Sequence, residues 1–206
     1  MHREVPEWAG PLLSVPRETS ERLERILRSL DSWRQKINLI GPSEWEQVWH
    51  RHVLDSLQLV PVLPKGPVLD LGSGAGFPGL VIAATRSDQS EDAVTLVESV
   101  SKKCAFLAAA ISDAGLNAAV LNQRVESVQP FPVSTVTARA FAPLPKLLTF
   151  AQPWLSAGAI GVFPKGKTWQ EELTEAKKTW TFALETIPSQ TSDDGVILRI
   201  SELERA

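Results

Sequence analysis

The residues of this 206-residue chain best suited to chemistry gather around one short apolar run and the glycines behind it. Val68-Leu69-Asp70-Leu71 reads as a strand, and Gly72, Gly74 and Gly76 follow at alternate positions. Glycine between a strand and a helix lets the chain turn sharply and brings backbone N–H groups up to a ligand. The pattern admits two cofactors. Gly74-x-Gly76-x-x-Gly79 fits the dinucleotide fingerprint in a shifted register. Asp70 favours the other choice: two residues ahead of the first glycine, its carboxylate would attract the ammonium of S-adenosylmethionine (SAM) and repel a pyrophosphate. Pro78 would also fall in the first helical turn, where it removes an N–H that a phosphate would use.

Further candidates stand at the ends of later apolar runs. Glu98 closes the second, where a carboxylate can accept hydrogen bonds from both hydroxyls of a ribose, a group SAM shares with NAD. The plainer alternative for Glu98 is a partner for the dipole of the next helix, with Ser99 or Ser101 as cap. Val125-Glu126 follows the third run and either borders an adenine or is ordinary surface. Arg139 ends the fourth, facing the crevice; its planar fork suits the SAM carboxylate, an RNA phosphate, or a structural ion pair with Asp70 or Glu126. Lys165 and Lys167 follow the fifth and suit either phosphate contact or a solvated loop. Upstream, His52 and Asp55 lie one helical turn apart, and Arg51 with Asp55 forms an i,i+4 pair; a packed histidine satisfied by aspartate is the plain reading. No spacing among histidines, the cysteine and carboxylates suits a metal.

These residues need a scaffold. The spacing predicts a helix from Thr19 or Ser20 to about Ile37, with Leu23, Ile26, Leu27, Leu30, Trp33 and Ile37 on one face. Gly41-Pro42 breaks the chain, and Ser43-x-x-Glu46 reads as a capping box for a second helix from about Glu44 to Leu59. Three prolines in residues 1–17 suggest an extended lead-in. From Val68 the pattern becomes strands at about 67–71, 94–98, 118–122, 134–140 and 159–163, with helices at about 78–86, 101–114, 144–155 and 168–179. Two last strands, at about 181–187 and 195–201, are joined by a loop ending in Asp193-Asp194-Gly195, a hairpin signal. This predicts an α/β fold: a mostly parallel, Rossmann-like seven-stranded sheet closed by an antiparallel hairpin, the class I SAM-dependent methyltransferase architecture, over residues 67–206. Residues 1–66 form an N-terminal helical extension.

Net charge of -3 weighs against non-specific coating of nucleic acid. Between Glu126 and Glu171, however, there is no acidic residue, while Arg139, Lys146, Lys165 and Lys167 fall there; either this is a basic patch or the strands inside it are buried. A single cysteine, Cys104, excludes an intramolecular disulfide and sits on the apolar side of a helix. The seven tryptophans fall mostly on helical stripes and read as core. The first residues lack a signal-like apolar stretch and no run reaches membrane-spanning length, so a cytoplasmic protein with no membrane partner is expected, acting as a monomer.

One combination is more specific than a glycine loop. Asn38-Leu39, Arg51-His52-x-x-Asp55-Ser56, Asp70-Leu71-Gly72-Ser73-Gly74-Ala75-Gly76-Phe77-Pro78-Gly79, Thr137-Ala138-Arg139-Ala140 and Lys165-Gly166 occur in that order. From about Asn38 to the C-terminus the chain resembles the bacterial small-subunit rRNA guanine-N7 methyltransferases, also called the glucose-inhibited division protein B family. The resemblance implies methyl transfer from SAM to N7 of a guanine in the decoding-region 530 loop of 16S rRNA, as naked rRNA, assembly intermediate or small subunit. It implies cofactor positions at Gly72, Phe77, Val125, Glu126 and Arg139, and lifts His52 with its helix to a cap over the site. Glu98 stands where many members have Asp, Val125 where a small residue is common, and the match beyond about Thr168 is in general character only. Guanine N7 has a lone pair and no proton, so no general base is required, in keeping with the lack of an obvious catalytic dyad. The chain also lacks the Asp/Asn-Pro-Pro-aromatic segment of amino-group methyltransferases. The competing readings are an NAD-dependent oxidoreductase and a non-enzymatic RNA-binding assembly factor.

Overall fold

In a computed structural model, which describes residues 15–86 and 91–206, the N-terminal segment forms α1 (Arg17–Arg34), α2 (Pro42–Glu46), a π-helical stretch (Trp49–Leu54) and α3 (Asp55–Leu57). There follow β1 (Val68–Leu71), α4 (Gly79–Arg86), β2 (Val94–Glu98), α5 (Ser101–Ala114), β3 (Ala118–Asn122), β4 (Thr135–Thr137), α6 (Leu144–Leu155), β5 (Ile160–Lys165), α7 (Trp169–Ala176), β6 (Trp180–Pro188) and β7 (Val196–Arg205). The strands make one sheet in the order β3-β2-β1-β4-β5-β7-β6. β1 to β5 pair in parallel, and β7 runs antiparallel between β5 and β6. The chain winds one way from β1 through β2 to β3 and the other way from β4, so the carboxyl ends of β1 and β4 diverge into a crevice.

Strand alternation sorts residues between two cores. Val68, Leu96 and Val94 join α1, α4 and α5 on one face, where Leu23, Ile26, Leu30, Val81 and Phe106 are buried. Leu69, Leu71 and Val136 face α6 and the hairpin, against Leu147, Trp154, Phe163 and Ile200. Each such side chain contributes about 2 kcal/mol of transfer free energy. The N-terminal helices share the first core with β1 and β2, so the wall they give the crevice is anchored to the sheet.

Several boundaries differ from expectation, each for a local reason. Helix α1 begins at Arg17 behind Pro16, whose carbonyl accepts the Ser20 N–H (3.1 Å); Thr19 is buried and caps nothing. The capping interaction belongs to Glu44, not Glu46: Pro42 sets the first helical position, and the Glu44 carboxylate accepts the Gly41 N–H at 2.9 Å. The expected single helix to Leu59 is broken at Gln47 and resumes in π geometry. β4 ends at Thr137, which leaves Arg139 on the loop beyond it. β5 extends to Lys165 because β7 pairs Pro164 and Lys165 with Ile197 and Val196. Most of the expected lead-in, with Trp8, lies outside the described residues. No helix among the described residues is long and apolar enough to cross a membrane.

Candidate functional site

A cavity of about 510 Å³ opens where the ends of β1, β2 and β4 diverge. It gathers Gly72, Gly74, Phe77, Glu98, Val125, Glu126 and Arg139 in one lining, with His52 across from them. Gly76 departs from expectation. It is buried, and a Cβ there would meet Leu80 Cδ1 at 2.3 Å and Leu107 Cδ2 at 3.2 Å. Gly76 is glycine so that the loop can pack onto α4 and α5, and it does not line the cavity. Gly72 also has a packing reason, since a Cβ there would lie 2.1 Å from Phe141 Cδ2, and its φ of +68° favours glycine.

Glu98 holds the loop from the neighbouring strand. Its Oε2 accepts the Gly74 N–H at 3.0 Å and its Oε1 the Val100 N–H at 2.8 Å. The Glu98 carbonyl accepts from the Cys104 thiol (3.2 Å) and the Asn122 amide (3.1 Å), which fixes the strand end from which the carboxylate projects. Each oxygen keeps a lone pair for a hydroxyl. The N-cap of α5 is Val100, and neither Ser99 nor Ser101 serves as cap. Burial pushes the Cys104 thiol up, in keeping with a core residue. Val125 begins a short 3-10 turn, buried, with Glu126 beside it at the cavity rim.

Asp70 does not act as expected. Its carboxyl is fully buried and belongs to the α4 face of the sheet: a Cβ on Gly79 would sit 2.6 Å from Oδ2. It does not line the cavity; the Ser73 hydroxyl and the Gly79 N–H lie near its oxygens and oppose the effect of burial, but neither makes a hydrogen bond of good geometry, and the Ser73 hydroxyl reaches the Asp70 main-chain carbonyl. Burial raises its pKa to about 6. The alternation of β1 turns this side chain away from the crevice.

Arg139 is fastened to the N-terminal helices rather than to Asp70 or Glu126. Its Nη1 lies 3.0 Å from Asp55 Oδ2 and donates to the Arg51 carbonyl at 2.6 Å, while Nη2 meets His52 Nδ1. A guanidinium only donates, so Nδ1 carries the lone pair and the imidazole proton sits on Nε2, which is buried without a partner. Burial, with the Arg139 charge second, lowers the His52 pKa to about 4, so the ring is neutral near neutrality. His52 stacks on Phe77 at 4.9 Å, and the Arg139 guanidinium lies 5.5 Å from the centre of the same ring. The expected Arg51–Asp55 pair is absent: Arg51 is exposed, since the wider π-turn removes the i,i+4 alignment. Asp55 Oδ1 accepts instead from Thr191 Oγ1 (2.7 Å) and Gln58 Nε2 (2.8 Å), and Gln58 Oε1 accepts the Gln190 N–H (2.8 Å). One clasp thus joins the loop after β4, the N-terminal helices and the β6–β7 loop.

The basic residues between Glu126 and Glu171, which the sequence reads either as a patch or as flanking buried strands, do not gather in one place. Lys165 gives its ammonium to the Ala142 carbonyl (2.8 Å) and Glu172 (2.9 Å). Against the upward push of burial, Lys165 and the Leu144 N–H hold the Glu172 carboxyl below its usual range. Lys146 lies 5.5 Å from the Phe150 ring centre at the cavity wall. Lys167 is exposed, in a different cavity beside Asp193 and Asp194. Glu172 neutralises Lys165 and Asp55 neutralises Arg139, while Lys146 and Lys167 form no ion pair among the described residues. No group of three or more histidine, cysteine, aspartate or glutamate side chains among the described residues could hold a metal ion.

A second cavity of about 780 Å³ adjoins the first and shares Glu44, His52, Arg139, Ala140, Phe141 and Ala142 with it. Sequence reading misses Phe141 and Glu44. The only available signal for Phe141 is an aromatic two positions beyond Arg139, and for Glu44 none stands out from a helix end.

Residues 19–194 match the family model described as rRNA small subunit methyltransferase G. The ribosomal RNA small subunit methyltransferase G of Hyphomonas neptunium is 59% identical over 192 residues, covering 93% of this chain and 91% of that protein. The protein of the same name from Rhodospirillum rubrum is 46% identical over 204 residues, covering 98% and 100%. Among solved structures, a SAM-dependent methyltransferase from Aquifex aeolicus aligns with a TM-score of 0.58 at 15% identity, over 83% of this chain and 97% of that one. An MtNAS structure with S-adenosylmethionine aligns at 0.57 and 12% identity, over 89% and 72%. At these identities the two structures speak for the fold, which is the class I Rossmann-like methyltransferase fold.

Proposed function

Because this chain belongs to the rRNA small subunit methyltransferase G family, we propose that it moves a methyl group from SAM to N7 of a guanine in the 530 loop of 16S rRNA. It is a SAM-dependent rRNA methyltransferase; the position and atom methylated are the part proposed. The observation that carries the reading is a single cavity at the divergence of β1 and β4 that joins the glycine loop, Glu98 and Arg139.

The donor set fits the cofactor. Glu98, with both oxygens directed by backbone N–H groups, suits a ribose diol. Gly74, where an added Cβ would approach nothing closer than the Gly72 carbonyl at 3.8 Å, leaves room beside it. Val125 and Glu126 suit an adenine edge, Phe77 and Gly72 wall the centre, and Arg139 offers a cation to a carboxylate. SAM when bound supplies an activated methyl on a positive sulfur. The accepting N7 has a lone pair and loses no proton, so these side chains contribute position and field rather than proton transfer. His52 orients Arg139 as a neutral acceptor, Lys165 positions the start of α6 through Glu172, and Lys167 is the expected lysine left to meet RNA phosphate. We place the protein in the cytoplasm as a monomer, acting on the small subunit or its assembly intermediate. Neither competing reading has support among the relatives, which are named as methyltransferases.

Calorimetric titration with SAM, its demethylated product and NAD, followed by labelled-methyl transfer to 16S rRNA and to small subunits, tests the proposal. SAM binding and label on guanine N7 are expected. Binding of NAD alone contradicts it, as does SAM binding with no transfer to rRNA.

A further inference from the structure

A methyl acceptor must reach the cofactor cavity from a seat of its own. We propose that the adjoining cavity seats the target guanine, with Phe141 as its stacking surface and Glu44 as the carboxylate that reads its Watson–Crick edge; this rests on the proposed guanine-N7 reaction.

The two cavities meet at one wall, and both Glu44 and Phe141 stand in it. The Phe141 ring lies against Gly72 and is braced by Phe150 at 5.4 Å and 50°, while the side chain is only partly buried and lines both cavities. A fixed aromatic face open to a cavity is what an unstacked base requires. A guanine attacked at N7 carries its N1–H and N2–H₂ donors on another edge, and one carboxylate accepts both.

Three carboxylates line the second cavity. Asp55 is engaged through both oxygens, by Arg139 on one and by Gln58 and Thr191 on the other. Glu172 is likewise engaged, by Lys165 and the Leu144 N–H on Oε2 and by Thr168 on Oε1. Glu44 accepts the Gly41 N–H through Oε2, and its Oε1 has no hydrogen-bond partner among the described residues. That backbone bond fixes the carboxylate plane and leaves acceptor capacity for a base. Adenine, whose N1 is an acceptor, would meet a repulsive lone pair there.

The test compares methyl transfer to 16S rRNA carrying guanine or inosine at the target, for the wild-type protein, Glu44→Gln and Phe141→Leu. Inosine lacks only the 2-amino group. The wild-type protein is expected to prefer guanine by about tenfold in kcat/KM. Glu44→Gln is expected to lose about tenfold on guanine and most of that preference, with SAM affinity by calorimetry unchanged. Phe141→Leu is expected to slow transfer to both bases alike. A Glu44→Gln protein that keeps the full guanine preference, or a Phe141→Leu protein at wild-type rate, overturns the seat while leaving the reaction standing. No transfer to guanine by the wild-type protein overturns the reaction and the seat together.

Discussion

The glycine loop and the Arg139 clasp bound the same cavity and are built in opposite ways. The loop is held by backbone packing: residues 72–76 are shaped by their own turns, by Phe141 against Gly72 and Leu80 against Gly76, and by Glu98 on the adjoining strand. The clasp is distant: Asp55 reaches Arg139 across 84 residues and Thr191 across 136. Close packing of backbone tolerates no added atom. A side-chain network can lose one member and keep the fold. One wall is therefore expected to tolerate no added atom, and the other, anchored to the sheet through the first core, to tolerate the loss of a single member.

The largest expected effect breaks the close-packed wall. Gly72→Val drives a Cβ into Phe141 at a φ of +68° and is expected to cost about 3 kcal/mol or more, read by urea denaturation, with SAM binding lost in calorimetry. A variant of wild-type stability would show that the loop is as tolerant as the clasp.

Next comes the protonation of His52. Its pKa is lowered from 6.5 to about 4 in the folded protein, so the unfolded chain takes up the proton first on acidification. The contribution of neutral His52 is whole above the unfolded value and is lost as pH falls from 6.5 towards 4. The full shift corresponds to about 3 kcal/mol as an upper bound. Asp70 runs the other way, since its raised pKa of about 6 costs stability as pH rises from 3.8 towards that value. Comparison of the wild-type protein with His52→Gln cancels Asp70, and the variant is expected to show the flatter decline below neutrality. Parallel pH profiles would remove His52 from the clasp energetics.

A smaller effect is expected for Asp55→Asn. It leaves Arg139 without its anion in a half-buried site and is expected to cost about 1–2 kcal/mol in denaturation, with rRNA methylation reduced more than SAM binding. Equal loss of both would make the clasp as intolerant of change as the close-packed wall. The smallest is Lys167→Ala, with stability within about 0.5 kcal/mol and the salt slope of rRNA binding reduced by about one. An unchanged slope would place the RNA elsewhere.

The same contrast explains what could be read from sequence. Gly72, Gly74, Glu98 and Arg139 were legible because each stands at the end of a parallel strand, and parallel strands bring those ends together. Asp70 misleads because the face a strand residue takes depends on register, which turns it beneath Gly79. The clasp is only half legible: the sequence makes His52 and Asp55 neighbours one helical turn apart, while the π-turn and the β6–β7 loop supply their partners. Lys165 looked free because Glu172, which neutralises it, stands just beyond the stretch without acidic residues. Glu44 and Phe141 show no pattern in one dimension, since the wall they share exists only after the N-terminal helices pack against the first core.

Mapping N7-methylguanosine in 16S rRNA from cells with and without this protein addresses the central claim most directly. The modification is expected at one guanine of the 530 loop only when the protein is present, and to return when purified protein and SAM are added to unmethylated small subunits. Methylation that is identical in both strains, or that falls on another atom or another loop, would contradict the account.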